Sequence, residues 1–238
     1  FLALFIADAL VSCLVAVLFY FLISETKPEP HPGQAHESML ATFKGYAVAL
    51  RDRAYMGFLA AGILMGLVYG QMYNSLSVYL RDVHGIQPQG YGFLMTASAI
   101  TVILFQFWVT RKIKTRPPFL LMALGTLFYM IGFSMFGLVS TYGLFVLAVG
   151  VITIREMINM PPMSALGANF APGEMRGRYM AVFSLMWALP SAVGPGAAGL
   201  VLDNLNPNLL WYIGGALCAV SALSFYRLHV RLGGGSGP

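Results

Sequence analysis

The chain has 238 residues, of which 58% are hydrophobic and only 10% are charged. Soluble domains carry about 25% charged residues, so this composition excludes an ordinary soluble fold and indicates that lipid is the main solvent. The net charge of +5 does not indicate a nucleic-acid partner, because the basic residues lie mainly in the connections between apolar segments.

Seven apolar segments follow one another along the chain, and each is long enough to cross roughly 30 Å of hydrocarbon as a helix. Barrel strands would alternate over about 10 residues, which these runs do not do. The predicted fold class is therefore an all-α membrane protein with seven transmembrane helices. The approximate ranges are 1–24, 54–80, 91–110, 117–139, 142–169, 179–203 and 208–230.

The basic residues alternate between the two sides of this predicted topology. Those on one side are Lys27, Lys44, Arg51, Arg53, Arg111, Lys112, Lys114, Arg116, Arg176, Arg178, Arg227 and Arg231, whereas the opposite side carries only Arg81. Because Lys and Arg in short loops mark the cytoplasmic side, we expect the N-terminal end outside and the C-terminus in the cytoplasm. The expected location is a cell membrane, most simply a bacterial inner membrane.

One long polar connection, 25–53, separates the first segment from the other six. It begins with helix-breaking prolines, and its second half has apolar residues at helical spacing, which predicts an interfacial helix on the cytoplasmic leaflet. Phe1 opens directly into an apolar helix, which suggests a piece of a longer protein. The predicted division is 1–24 as a transmembrane helix, 25–53 as a loop, 54–231 as a six-helix bundle and 232–238 as a linker, tag remnant or native flexible tail.

Several short motifs, taken in their order and spacing, resemble one family of membrane proteins. The motifs are Ile23–Pro28, Tyr69–Gln71, Tyr79-Leu80, Gly85, Tyr91-Gly92, Arg155–Ile158 with Pro161, Pro172–Tyr179 and Gly194–Gly199. Together they resemble helices six to eleven of the major facilitator superfamily, in its multidrug-resistance branch of drug:proton antiporters. The resemblance covers essentially residues 1–231.

The resemblance implies a fold of two six-helix bundles around a central cavity, with this chain supplying helices six to twelve. Its last six helices would form two three-helix repeats of inverted topology, 54–139 and 142–230, and the N-terminal bundle would be their partner. The implied function is that of the C-terminal half of a secondary active transporter, which moves a small organic, lipophilic or amphipathic solute by proton-coupled alternating access. The loop 110–116 keeps the family's basic residues but lacks its usual Gly and Asp, so the mode of coupling stays open.

The charged pair Arg155 and Glu156 is the most informative candidate site. Glu156 lies about 21 Å along a helix from Tyr142 at the outer edge, close to the bilayer midplane, where charged residues face a cavity or a partner. Asn159 is placed to reach either member of the pair. Pro161 and Pro162 follow, and each removes an amide donor from the preceding turn, so a kinked helix is predicted beside the charges. Arg155 would favour an anionic solute, Glu156 a cation or a proton, and a purely structural pairing is the alternative.

Polar residues of the second segment are further candidates. Gln71, Tyr73 and Asn74 could line a cavity or hydrogen-bond to a neighbouring helix. A stripe of small residues, Gly62, Gly66 and Gly70, predicts close contact with another helix. Gly194 and Pro195 predict a second kink in the sixth segment.

No cofactor, metal or enzymatic activity is predicted. The pattern Gly194-x-Gly196-x-x-Gly199 matches a dinucleotide fingerprint only literally, because it lies in an apolar helix with no strand before it. The four histidines lack metal-ligand spacing. Two other functions share the topology, namely a seven-span receptor or retinal protein and a non-transporting scaffold. A retinal protein would need a lysine within a span, and a scaffold would not need charges at the midplane.

Overall fold

The structure is a computed structural model that describes residues 2–22 and 39–233, and within them the regular elements are all helical. The α-helices are α1 Leu2–Leu22, α2 Met39–Arg51, α3 Arg53–Asn74, α4 Leu76–His84, α5 Pro88–Ile113, α6 Pro118–Phe136, α7 Tyr142–Asn169, α8 Arg176–Phe183, α9 Leu185–Asn204 and α10 Asn208–Gly233. Within these described ranges, seven helical stretches are long and apolar enough to span a bilayer, which confirms the predicted fold class. The motif Ile23–Pro28 and residues 234–238 of the tail lie outside the described residues.

The chain divides into two compact units, Phe1–Met39 and Leu40–Pro238. In the first unit, α1 is a 21-residue apolar helix. In the second unit, the part of α2 from Leu40 onward packs through Ala49, which is buried, and through Gly45, which lies against the side chain of Arg178. A helix thus forms where the interfacial helix was predicted, and its position on the leaflet stays a prediction.

The six long helices of the second unit pack in a definite order. The main contacts join α5 to α7, α7 to α6, α6 to α10, α10 to α3 and α3 to α9. Exchanging α3, α5 and α6 with α7, α9 and α10 leaves this set of neighbours unchanged. Such exchange is what two repeats related by a pseudo-twofold axis require, so the packing agrees with the inverted three-helix repeats that the resemblance implies.

Two of the predicted segments are each divided into two helices. The segment 54–80 is interrupted at Ser75, where φ is −111° and the hydroxyl donates to Gln71 Oε1 at 2.7 Å. The segment 179–203 begins earlier, at Arg176, and is interrupted at Ser184, whose hydroxyl donates to the Ala181 carbonyl at 2.6 Å. The Ser184 hydroxyl thus bonds to the backbone of its own turn, whereas the Ser75 hydroxyl bonds to a side chain, and the hydrophobic pattern reveals neither interruption.

Close contact between α3 and α9 depends on glycine. A Cβ added to Gly66 would lie 2.9 Å from both the Met186 carbonyl oxygen and the Pro190 Cγ, and one added to Gly62 would overlap the Met186 side chain. Pro190 has no amide to give to the Met186 carbonyl, so this oxygen is free to face Gly66. The predicted stripe of small residues therefore forms a helix contact at Gly62 and Gly66. A Cβ added to Gly70 would approach only the Asn74 amide nitrogen, at 3.6 Å.

Candidate functional site

A polar and aromatic cluster lies in the middle of the second unit, between α3, α6 and α7. We call it the Tyr69–Glu156 cluster, and its members are Tyr69, Tyr73, Tyr129, Arg155 and Glu156. The Tyr69 hydroxyl donates to Glu156 Oε1 at 3.0 Å and lies 3.1 Å from the Tyr73 hydroxyl. Glu156 is half-buried, and Tyr73 is 50% exposed, so the hydrogen-bonded chain runs from a sheltered carboxylate to an open surface.

Arg155 belongs to the same cluster but is fully buried. Its guanidinium carbon lies 3.6 Å from the centre of the Tyr129 ring, and Nη2 donates to the sulfur of Met65. The Nε and Nη1 groups have no hydrogen-bond partner among the described residues, whose ion pairs do not include Arg155. The cation is therefore held by an aromatic face and a thioether, and it does not pair with the neighbouring Glu156.

The two halves of the cluster are joined through stacked tyrosines. The rings of Tyr69 and Tyr129 lie 6.1 Å apart with an interplanar angle of 13°, so Arg155 covers one ring and Glu156 accepts from the hydroxyl of the other. Trp187 of α9 packs edge-on against Tyr69 at 5.8 Å. An aromatic wall with one carboxylate at its edge results.

The hydrogen bonds of Asn159 go to α6 rather than to Arg155 or Glu156. Its Nδ2 donates to the Met122 carbonyl and the Thr126 hydroxyl of α6, both at 3.3 Å. The residue is fully buried, and its Oδ1 faces Gly125, where any Cβ would overlap it. Asn159 therefore joins α7 to α6, and the expected reach toward Arg155 or Glu156 is not seen.

The helix α7 runs through both of its prolines. Pro161 removes the amide that would bond to the Met157 carbonyl, and Gln106 Nε2 of α5 donates to this oxygen at 3.2 Å. The same Nε2 lies 2.9 Å from the Thr110 hydroxyl. A side chain from a neighbouring helix thus replaces the lost backbone donor one residue beyond Glu156. The helix α9 likewise continues through Gly194 and Pro195.

The candidates on α3 separate into buried and open residues. Gln71 is buried, donates to the Leu67 carbonyl at 2.9 Å and accepts from Ser75, so its polar atoms are satisfied within its own chain segment. Its Nε2 lies 3.0 Å from where a Cβ of Gly194 would stand. Asn74 is exposed and borders a cavity of about 250 Å³ between α3, α4 and α9.

Two residues that the sequence interpretation left out of the site belong to the cluster, namely Tyr69 and Tyr129, and a third, Gln106, bonds to the α7 backbone beside it. Each is a polar side chain inside an apolar segment, which was the available signal. The sequence could not identify their partners, because each contact joins two different helices. Tyr129 of α6 lies against Arg155 of α7, and Gln106 of α5 donates to the Met157 carbonyl of α7.

Chemically, the cluster sets one carboxylate beside aromatic surface that can bind a flat apolar or cationic group. The carboxylate of Glu156 accepts from Tyr69 when ionised and can donate to the same oxygen when protonated. The rings of Tyr69, Tyr73 and Trp187 offer apolar surface and π faces for a cation. A bundle of long apolar helices with a half-buried carboxylate inside it is that of a multi-pass membrane protein.

The chain belongs to the Major Facilitator Superfamily, whose family model matches residues 1–195. Among curated relatives, it is 23% identical over 209 residues to a Na(+), Li(+), K(+)/H(+) antiporter of Planococcus maritimus, covering 79% of this chain and 49% of the relative. It is 29% identical over 185 residues to the uncharacterized MFS-type transporter YdeE of Escherichia coli, covering 74% and 46%. A putative sugar efflux transporter of Deinococcus radiodurans is 27% identical over 172 residues, covering 68% and 43%.

The chain spans about half the length of these relatives. Among solved structures, a POT family transporter in complex with a thioalcohol-conjugated peptide superposes with a TM-score of 0.67 at 15% identity, covering 97% of this chain and 54% of that one. A second such structure, with 5-aminolevulinic acid, gives the same values. These likenesses show the fold, and the family assignment confirms the resemblance to the superfamily that the motifs carried.

Proposed function

We propose that the chain is the C-terminal half of a secondary active transporter that couples movement of a small lipophilic or amphipathic organic solute to protons. The observation that carries the proposal is the hydrogen bond from Tyr69 to Glu156. A carboxylate near the midplane of an apolar bundle is unfavourable unless it has a function or a partner. Among the described residues, the partner of Glu156 is a hydroxyl that also reaches open surface through Tyr73.

The hydrogen-bond chain gives a physical route from protonation to solute binding. When Glu156 is ionised, Tyr69 donates to it and Tyr73 can donate to Tyr69. When Glu156 takes up a proton, it can donate to Tyr69, and Tyr69 is free to donate to Tyr73. The direction of the chain reverses, and the exposed Tyr73 hydroxyl, which could only accept from a solute, becomes free to donate to one. A solute that donates to the Tyr73 hydroxyl, or a cation attracted to the ionised Glu156, would then compete with the proton, as antiport requires.

The solute class follows from the lining of this surface. Tyr69, Tyr73 and Trp187 present aromatic area with little fixed charge, which suits flat lipophilic molecules. A positive charge on the solute would add attraction to the rings and to Glu156. The Planococcus relative is a Na(+), Li(+), K(+)/H(+) antiporter, which supports a cation- and proton-linked role for this chain. Membership of the drug:proton branch is therefore part of the proposal.

The proposal includes a partner bundle and a membrane. Only 11% of the residues in the most apolar stretch of α5, and 22% of those in the most apolar stretch of α8–α9, are buried, so these helices offer wide faces to lipid or to an N-terminal six-helix bundle. Residues 1–231 alone, reconstituted in liposomes, should show no saturable flux, and flux should return with the complementary half. We also propose a bacterial inner membrane with a cytoplasmic C-terminus, because basic loops mark the cytoplasmic side.

The test uses the complete transporter, with both proposed halves, in liposomes with an imposed pH gradient. Ethidium and tetraphenylphosphonium serve as flat and rounded lipophilic cations, and proton flux is followed with a pH-sensitive dye. Glu156→Gln keeps the size of the side chain and an oxygen for Tyr69 but cannot exchange a proton. We expect it to abolish proton-linked ethidium transport while the melting temperature stays close to that of the wild type.

The matched control is Asp203→Asn, an equal change of charge at an exposed residue near the end of α9. It should transport normally. Wild-type pH dependence in the Glu156→Gln protein would refute the coupling role. A large fall in its melting temperature, with normal coupling in the protein that survives, would show that Glu156 only stabilises the packing.

A further inference from the structure

A basic cleft lies at the end of the bundle where the connection between α5 and α6 meets the last turn of α10. Its volume is about 600 Å³. The residues lining it are Lys114, Thr115, Arg116, Pro117, Pro118, Phe119, His229 and Leu232. Two permanent cations and an imidazole thus share one opening, and the prolines fix the turn between them.

The cleft has no acidic residue in its lining. The ion pair found among the described residues joins Arg81 to Asp82, both on α4. Lys114 and Arg116 are exposed, and the His229 ring lies 6.5 Å from the ring of Tyr226. The cations therefore form a positive surface that no carboxylate of the lining neutralises.

An apolar groove lies between the same two helices, α6 and α10. Its volume is about 370 Å³, and small alanine side chains keep it open on both sides. The lining residues are Leu120, Ala123, Leu124 and Leu127 of α6 and Ala219, Ala222, Leu223 and Tyr226 of α10. The lining carries no charge, and its one polar group is the Tyr226 hydroxyl.

The two sites are arranged head to tail. On α6 the cleft ends at Phe119 and the groove begins at Leu120; on α10 the groove ends at Tyr226 and the cleft begins at His229, one turn later. From Leu120 to Leu127 the groove follows the helix for about 10 Å. A positive end at the helix termini and an apolar slot leading into the span match an amphiphile with an anionic head and a hydrocarbon tail.

We propose that the cleft and groove together bind one anionic phospholipid, with its phosphate between Lys114 and Arg116 and an acyl chain between α6 and α10. Charge complementarity selects an anionic head group, because each basic residue near a membrane surface favours anionic lipid. The groove selects a lipid over a soluble anion, because a free phosphate would leave its apolar surface uncovered. The site lies on α6 and α10, apart from the Tyr69–Glu156 cluster, so it is independent of the proposed transport function.

The test is native mass spectrometry of the detergent-purified full-length protein with phosphatidylglycerol and phosphatidylcholine of identical acyl chains. We expect phosphatidylglycerol to be retained preferentially. Lys114→Gln with Arg116→Gln should weaken its retention by about tenfold or more. The control, Arg111→Gln with Lys112→Gln, removes the same charge from the end of α5. Neither residue lines the cleft, and Lys112 lies over the Trp108 ring, so the control should leave retention unchanged.

A second pair of variants tests the groove. Ala219→Leu fills the slot and should reduce retention of phosphatidylglycerol, whereas Val220→Leu, at a neighbouring residue that is 54% exposed and outside the groove, should not. If Ala219→Leu lowers expression, Ala219→Val takes its place. Equal retention of both lipids, or no effect of the double charge variant, would overturn the proposal. Displacement of phosphatidylglycerol by inorganic phosphate, together with unchanged retention in the Ala219→Leu protein, would also overturn the proposal. That result would indicate a site for a free anion.

Discussion

Tyr69 and Glu156 stand 87 positions apart in the chain, and the hydroxyl of one lies 3.0 Å from Oε1 of the other. The same hydroxyl lies 3.1 Å from that of Tyr73, while the ring behind it stacks on Tyr129. A single tyrosine thus connects the sheltered carboxylate, the open surface and the aromatic face that holds Arg155. Its hydroxyl can be removed without disturbing its ring, which makes the connection testable.

Tyr69→Phe should impair transport without dismantling the bundle. The ring stack with Tyr129 is kept, but Glu156 loses its donor, and a lost hydrogen bond to a charged group costs about 1.5–3 kcal/mol. We expect proton-linked transport to fall by about tenfold or more, with a modest fall in melting temperature. Both are measured on the same purified variant in liposomes and in detergent.

Tyr142→Phe is the matched control for this change. Its hydroxyl donates to the Gly90 carbonyl at 2.9 Å at an exposed site, so the substitution removes a neutral hydrogen bond far from the cluster. It should leave the transport rate near that of the wild type. Equal transport by the Tyr69→Phe and wild-type proteins would remove Tyr69 from the coupling chain.

Gly66→Ala should destabilise the contact between α3 and α9. The new methyl group would meet the Met186 carbonyl and the Pro190 ring at 2.9 Å, and because one of these atoms belongs to the backbone, the helices must separate. Overpacking of this kind costs about 1–3 kcal/mol. The melting temperature of the purified protein should therefore fall by several degrees.

The comparison is Gly70→Ala on the same helix. A Cβ there would approach only the Asn74 amide, at 3.6 Å, and alanine favours helix over glycine by about 1 kcal/mol. This variant should match or exceed the wild-type melting temperature. If both variants melt alike, the stripe does not set the spacing between α3 and α9.

Gln106 and Pro161 should be energetically coupled. Gln106→Leu leaves the Met157 carbonyl without a donor, which costs about 1–3 kcal/mol for a buried group. Pro161→Ala returns an amide to that carbonyl, so the effect of Gln106→Leu should shrink in the Pro161→Ala background. A double-mutant cycle of unfolding free energies measures this coupling, and strict additivity would mean that the Gln106 contact contributes nothing.

The sequence sufficed for the number and class of the spans because lipid imposes length and hydrophobicity on each helix separately. It also indicated that the turn before Pro161 lacks an amide donor, since that follows from Pro161 alone; the carbonyl concerned is that of Met157. The interruptions at Ser75 and Ser184 were missed, because a local break between two helices leaves the hydrophobic pattern of the segment unchanged.

The partners within the site could not be predicted in the same way, because they depend on which helices become neighbours. Arg155 and Glu156 are adjacent in sequence, yet the packing sends one to the Tyr129 face and the other to the Tyr69 hydroxyl. Asn159, one turn on, points to α6 instead. Adjacent helical residues diverge by about 100°, so the divergence was predictable and its destinations were not.

His84, the last residue of α4, should make the fold sensitive to mild acid. Its imidazole packs between the rings of Tyr79 and Phe145, with centroids 5.1 Å and 4.9 Å away, and Nε2 is buried without a partner among the described residues. Desolvation lowers the pKa of His84 below its usual 6.5. The nearby Asp82 cannot account for acid sensitivity in this window, because its hydrogen bond with Arg81 lowers the Asp82 carboxyl pKa from 3.8.

The sign follows from proton binding. Below the ordinary pKa of histidine, the unfolded chain binds a proton at residue 84 that the folded protein resists, so this part of the stability is present near neutral pH and is lost as the pH falls through the window beneath 6.5. His84→Phe keeps an aromatic ring between Tyr79 and Phe145 but cannot be protonated. We expect the wild-type melting temperature to fall more than that of His84→Phe between about pH 7.5 and about pH 5.5. Equal losses in the two proteins would assign the acid sensitivity to other groups.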